Sequence, residues 1–265
     1  MMKFLLIIFF IAASLSAQGF STRYDVIVGM FGKVGYSDFT LKEDGDNYEA
    51  KLVAKTVDIA AALLGNRVET FTSTGKIVDG IYIPHTFVKT KITTTRTRFQ
   101  TYYFNHDKKE VKLIEEKSKL VNETGFDSIN FKITTKDVIR KSKKESVLET
   151  YIGDDVLSSY LNTKTTCKAE EKFYNLVAIG AHNDKNIVTL SCLENKAKAD
   201  AGVCFSDHIQ NIYNLHVSPI DEDETVVDVL IAFDADGLMK EAILGDVFWI
   251  GKITANRVYY RVTRK

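Results

Sequence analysis

Apolar and polar residues alternate with a period of two along most of the chain, the spacing that sends successive side chains to opposite faces of a β-strand. Tyr48, Ala50, Leu52 and Ala54 fall on one side of such a run, and Glu49, Lys51 and Lys55 on the other. Tyr24, Val26, Val28 and Met30 form a similar run, after which Gly32 and Gly35 mark a reversal or a bulge before residues 36–41. Further strands are expected at 67–73, 82–95, 98–105 and 110–116, with turns at 43–47 and 106–109, so the first half reads as an antiparallel meander. The second half repeats the style without repeating the sequence, with strands expected at 128–134, 173–182, 187–193, 209–217, 225–233, 239–244 and 249–262. Residues 182–186 and 234–237 are turn signals, and Asp221, Glu222, Asp223 and Glu224 make an acidic loop.

Two segments break the alternation. Residues 58–64 predict a short helix with Asp58 as its N-cap and Gly65 as its stop. Residues 154–162 predict a second, in which Val156, Leu157, Tyr160 and Leu161 share one face and could cover or plug a sheet. Only two prolines, Pro84 and Pro219, interrupt the 265 residues, which permits long strands. The expected fold is mainly β: a single antiparallel, strongly curved sheet or open β-barrel with two short helices near one mouth.

The first seventeen residues differ from the rest. Lys3 precedes an apolar run over 4–13, too short for a comfortable membrane span, and Ser14, Leu15, Ser16 and Ala17 supply small residues for processing. This layout predicts a signal peptide over 1–17, cleaved after Ala17 or Ser16, with 18–265 a single β-rich domain in the periplasm. Three cysteines in such a compartment allow at most one internal pair. Cys192 with Cys204 is the expected disulfide, closing a polar loop for about 3 kcal/mol in the chain-entropy picture. Pairing through Cys167 and three buried free thiols stay open as alternatives.

Hydrophobic residues at 45% and charged residues at 26% exclude disorder. Lys and Arg number 35 and Asp and Glu 35, so no global field attracts a polyanion, and nucleic acid is not an expected partner. Charged residues at alternate strand positions, including Lys89 and Lys91, read as solvent-facing and argue against an outer-membrane barrel with a lipid-facing belt. The basic run 136–144, with Arg140, Lys141, Lys143 and Lys144, reads as a solvated connector, with contact to anionic lipid or cell-wall polymer as the functional alternative.

The opening Tyr24-Asp25-Val26 with Gly32-Lys33-Val34-Gly35, the helical segment from Asp155 to Leu161, and the ending Ile250-Gly251-Lys252-Ile253-Thr254-Ala255 resemble the bacterial periplasmic family catalogued as domain of unknown function 3108. The resemblance implies a secreted, strand-rich envelope protein similar in shape to open-barrel carriers, and it carries no catalytic residues across. Its motifs are glycine turns and apolar helix faces.

The sequence lacks the serine-elbow, zinc-helix and phosphate-loop patterns. His85, His106, His182, His208 and His216 share no ligand spacing, and His182 with Asp184 is explained by turn composition. Asp154 and Asp155 read as helix capping rather than a hydrolytic pair, and 221–224 as a solvated loop. No catalytic or metal site and no cofactor is expected, and ligand-contacting residues stay unassigned. Twelve Tyr and sixteen Phe serve sheet packing first. A curved sheet too wide for two helices would also leave an apolar groove, with Phe248, Trp249 and Ile250 as wall candidates. The expected function is a non-enzymatic envelope protein binding a lipid or hydrophobic segment in that concavity, with peripheral membrane contact possible. The alternatives are an interaction adaptor with a filled core and, third, a cell-wall hydrolase.

Overall fold

The computed structural model describes residues 18–63, 65–129, 131–166, 173–180, 187–193, 205, 211–217, 227–234, 238–247 and 251–264. The elements are β1 (Gln18–Val28), β2 (Gly32–Asp44), β3 (Asn47–Thr56), α1 (Asp58–Leu63), β4 (Val68–Val78), β5 (Ile81–Ile92), β6 (Arg96–Asn105), β7 (Glu110–Asp127), β8 (Lys132–Val147), β9 (Asp154–Asp155), α2 (Val156–Thr166), β10 (Phe173–Ile179), β11 (Ile187–Cys192), β12 (Asn211–Val217), β13 (Val227–Phe233), β14 (Met239–Val247) and β15 (Gly251–Arg264). The strands form one sheet in the order β8-β7-β6-β5-β4-β3-β2-β1-β15-β14-β13-β12-β11-β10-β9. Neighbours are antiparallel throughout except for the two-residue parallel pairing of β9 with β10. The chain is thus a meander running outward from β1 to β8, then returning by α2 to build the other half back to β15, which pairs with β1. The mainly β, open, strongly curved architecture with two helices is the one the alternation predicts.

The curvature follows from which faces are apolar. Cross-strand partners share a face, and one face carries Phe20, Leu41, Ala50 and Phe39 on β1–β3, Phe87 on β5, Tyr102 on β6 and Leu113 on β7, all buried in one core. Leu157 and Leu161 of α2 sit in the same core, so the sheet wraps around this helix. The curl is deep. Gly180, which ends β10, lies against the Phe87 ring of β5, and the Lys89 ammonium donates to the Gly180 carbonyl at 3.3 Å, although ten positions separate β10 from β5 in the sheet order. No ladder joins these strands among the described residues, so the sheet curls without closing.

Side-chain hydrogen bonds stitch α2 across the concavity. Asn162 mimics a strand partner: the Tyr82 amide donates to its Oδ1 at 2.8 Å and its Nδ2 donates to the Tyr82 carbonyl at 3.0 Å. On the opposite wall, the Met239 amide donates to the Tyr160 hydroxyl at 3.0 Å, and the Tyr24 hydroxyl donates to the Met239 carbonyl at 2.9 Å. The helix therefore fills the space between β5 and β14. The helix expected over 154–162 is found, extended to Thr166, and α1 matches its expected start at Asp58.

Two expectations are corrected. The strand expected over 128–134 begins only at Lys132, as the start of β8; Ser128, Ile129 and Phe131 lie in the turn before it, and Ile129, Phe131 and Ile133 are 87%, 81% and 74% exposed. The basic run 136–144 is not a connector but the body of β8, paired with β7 over its whole length. Strand β8 lies at the sheet edge with both faces largely solvated, so it lacks the apolar alternation that marks a half-buried strand. Several expected features lie outside the described residues: the segment 1–17, Cys167 and Cys204, the turns 182–186 and 235–237, the acidic loop 221–224, His182, His208, Phe248, Trp249 and Ile250. Cys192 closes β11, but its side chain is not among those described.

Candidate functional site

The inner face of the sheet has a different chemistry at each end. At the end beside the start of α2, Asp155 caps the helix. Its Oδ1 accepts from the amides of Leu157 (2.8 Å) and Ser158 (3.0 Å), while its own amide donates to Ser158 Oγ at 3.0 Å, a reciprocal capping box. Its Oδ2 accepts from Ser73 Oγ at 2.5 Å. Since that bond consumes the only serine proton, the Tyr48 hydroxyl is the donor in its 2.9 Å contact with Ser73. Asp155 and Ser73 are both fully buried, and burial raises the Asp155 pKa to about 6 despite the three hydrogen bonds its carboxylate accepts. Burial also raises the neighbouring Asp154, an effect His106 opposes.

His106 completes this end. Its Nε2 lies 2.6 Å from the Pro84 carbonyl, which can only accept, so Nε2 carries a proton, and its Nδ1 lies 2.7 Å from the Tyr151 hydroxyl. His85 packs beside it at 6.2 Å between ring centroids, with its pKa lowered by burial and by His106. These groups bring an acid pair, a serine and two histidines near one another, which the sequence did not foretell. Yet Ser73 bonds to a carboxylate with no imidazole beside it, both members of that pair are sealed from solvent, and both His106 nitrogens are engaged. The network fixes α2 on β4 and β5. Asp154 and Asp155 are therefore brought together as the capping reading expects.

At the other end the same face becomes cationic. Moving along β5, β6 and β7 from the apolar row Phe87–Tyr102–Leu113, the next inward row is Lys89–Gln100–Glu115, then Lys91–Arg98–Lys117, with Arg96 opposite Lys119 beyond it. The change takes six residues of strand, roughly 20 Å. Lys89 and Lys91, expected to face solvent on the outer side, therefore belong to the inner face. The reason is register: they are two and four residues from Phe87, and period two keeps all three on one side. Lys89 lies over the Phe71 ring at 5.4 Å, and burial lowers its pKa.

Acids answer part of this charge. Glu69 pairs with Arg67 and, at 3.8 Å, with Lys91. Glu115 pairs with Arg98 and Lys117; burial works against its carboxylate, but these two cations hold its pKa below the usual range. Arg96 and Lys119 face each other across the ladder, and neither forms an ion pair among the described residues. Like charges directly opposite in a sheet oppose folding. Arg96 and Lys119, with Arg67, Lys91, Arg98, Lys117, the Thr93–Thr97 turn and Gly65, line an open trough of about 740 Å³. A second hollow of about 560 Å³ lies across the β6–β8 strands at Phe99, Lys117 and Lys141.

The trough is suited to anions through its guanidinium and ammonium groups, which come from three strands; the Thr93 and Thr94 hydroxyls and the amides of Thr93, Thr94 and Arg96 are already bonded within the turn or to the Gly65 carbonyl. A sequence signal for it existed only in part, in Lys89 and Lys91 at alternate positions of one predicted strand and Arg98 at the start of the next; Arg96, Lys117 and Lys119 lie beyond the predicted strands, and assigning all of them to one face needs the registers. Among the described residues, no three His, Cys, Asp or Glu side chains are grouped to hold a metal ion, and no helix is long and apolar enough to cross a membrane.

No protein-family model matches the chain, and no curated protein sequence is similar to it. The chain is similar to a solved structure described as a beta-barrel-like protein of domain of unknown function DUF1849 from Brucella abortus, with 12% identity and a TM-score of 0.44 over 93% of this chain and 98% of the other.

Proposed function

We propose that this chain is a non-enzymatic protein of the cell envelope, exported by cleavage of residues 1–17, that binds an anionic amphiphile by its charged end in the basic trough. The observation that carries this reading is the pair Arg96 and Lys119, opposed in register without an acid between them and flanked by Arg67, Lys91, Arg98 and Lys117. A bound anion would relieve their mutual repulsion, and burial of the ligand against the floor would strengthen each contact. The apolar portion of the concavity over β3–β6 is occupied by α2, so the lipophilic part of such a ligand is not swallowed there. That filled core also favours a second reading, an interaction adaptor that uses its surface alone.

Native mass spectrometry of the protein purified from its own envelope separates the two. The first reading expects a co-purifying anionic amphiphile, lost in the double variant Arg96→Glu/Lys119→Glu. Because both side chains are exposed, and the variant exchanges one like-charged cross-strand pair for another, it should keep the wild-type melting temperature. Protein recovered free of any bound molecule, with the double variant indistinguishable from wild type, favours the adaptor.

A further inference from the structure

The positive charge of the trough is unevenly answered. Arg67, Lys91, Arg96, Arg98, Lys117 and Lys119 line it, and no acid does among the described residues. Two carboxylates stand beside it: Glu69 is shared by Arg67 and Lys91, and Glu115 by Arg98 and Lys117. One negative charge between two positive ones leaves each of these groups a single positive charge in excess. Arg96 and Lys119 have no acid between them and carry two. The backbone holds this last pair in place. The Arg96 amide donates to Thr93 Oγ1 at 3.1 Å, its carbonyl accepts from the Thr93 amide at 2.8 Å, and next to Lys119 the Leu120 amide donates to the Thr95 carbonyl at 2.9 Å. Arg96 and Lys119 are ladder partners, so their Cα atoms lie about 5 Å apart with both side chains on the inner face. Past them β6 ends, β7 and β8 continue alone as a two-stranded arm, and both side chains are exposed.

An anion seated between a guanidinium and an ammonium on opposite strands must offer oxygens in two directions and two negative charges. A carboxylate or a phosphodiester has two terminal oxygens and one charge, and a sulfate ester has three oxygens but still one charge. A phosphomonoester has three terminal oxygens and a charge of about −1.5 to −2 at pH 7. Two of those oxygens can take the planar guanidinium side by side, which leaves the third for the ammonium. Resting on the reading of the trough as the ligand site, we propose that it recognises a phosphomonoester, with the doubly charged phosphate held between Arg96 and Lys119. Arg98 and Lys117, clamped to Glu115 roughly 7 Å along the strands, add field rather than contact. The charged groups facing the phosphate are Arg67 before β4, Glu69 on β4, Lys91 on β5, Arg96 and Arg98 on β6, Glu115, Lys117 and Lys119 on β7, and Arg140 and Lys144 on β8, where Arg140 pairs with Glu123. No histidine is among them, so the pH dependence of binding belongs to the ligand, which drops to a single charge as pH falls through about 6.

The test is calorimetry on the purified protein with phenyl phosphate and phenyl sulfate, which share a shape and a set of oxygens and differ by one charge. Phenyl phosphate should bind about tenfold more tightly or better at pH 8, and the preference should vanish by pH 5. Arg96→Gln and Lys119→Gln should each reduce the preference to about threefold or less, with the melting temperature unchanged because both side chains are exposed. Lys119→Arg should retain it. Equal affinity for the two esters at pH 8, or a preference that neither Gln substitution alters, would overturn the proposal. Decyl phosphate below its micelle concentration separates the two sources of such a group. Tighter binding than phenyl phosphate marks a lipid headgroup. Equal binding marks a soluble phosphate ester, which ends the amphiphile reading and leaves the phosphomonoester site standing. Equal binding of the two phenyl esters, lost in Arg96→Glu/Lys119→Glu, overturns the phosphomonoester site alone, whereas binding of neither phosphate overturns both.

Discussion

At Asp155 a cap and a buried charge compete in one side chain. The carboxylate serves α2 by accepting two amides, but no cation offsets its burial, and its pKa of about 6 lies above its ordinary value. Between pH 4 and 6 the folded state therefore binds more protons than the unfolded state, so this residue's contribution to stability falls as pH rises through that window. Asp155→Asn keeps Oδ1 for the two amides and presents a donor to Ser73 where the carboxylate accepted. Its melting temperature should equal that of wild type near pH 4 and exceed it above pH 6. Parallel thermal melts check this, and a variant less stable than wild type at pH 7 would show that the charge is needed. Gly180 is a second residue whose chemistry is set by packing. Its φ is +100°, and an added Cβ would overlap the Phe87 ring. Gly180→Ala should cost more than the roughly 1–2 kcal/mol of the left-handed backbone alone. Denaturant midpoints should show part of that loss recovered in combination with Phe87→Leu, since the smaller side chain relieves the overlap.

Among the elements, α2 and β8 show how one sequence style leads to opposite environments. Helix α2 is short and carries Ser158, Ser159 and Asn162, yet all three are buried because each element around the helix supplies something to bond or pack. Leu157→Ala or Leu161→Ala should each destabilise by about 2–5 kcal/mol, measured by urea unfolding, because both sit in the core where α2 meets the sheet. Asn162→Leu keeps the volume but strands the backbone groups of Tyr82, and a loss of about 1–3 kcal/mol is expected. Strand β8, twice as long as many strands, buries almost nothing. Shortening the arm symmetrically between Leu120 and Ile139 should leave the melting temperature within about 1 kcal/mol equivalent of wild type, since surface changes seldom exceed half of that each.

On the scale of the whole molecule, a formally neutral chain places its charges unevenly. The inner face passes from a closed aromatic core to a cationic mouth, and beyond the mouth β7 and β8 continue as an arm with an apolar end. Net charge, being a sum, is blind to this polarity. The same curl that encloses α2 brings β10 to β5 and leaves two unpaired edges, β8 and β9, with the exposed one carrying lysines of the kind that discourage edge-to-edge pairing.

By itself the sequence determined the class of fold, most strand positions and both helices, because period-two alternation, glycine turns and capping residues are local signals whose physics needs no partner. It also indicated capping by the pair Asp154 and Asp155, since short acids before an apolar helical face have one common use; the structure assigns the cap to Asp155. Only the tertiary structure decided that Lys89 and Lys91 look inward, that Arg96 opposes Lys119, and that His106 and Asp154 share an environment, since each depends on which strands pair and in what register. The β7–β8 arm was misread for a physical reason of the same kind. Alternation reports a difference between two faces, and in a ribbon with water on both sides there is no buried face for the pattern to record. Ile129, Phe131 and Ile133 consequently look like a core strand in sequence and stand at an exposed tip in space.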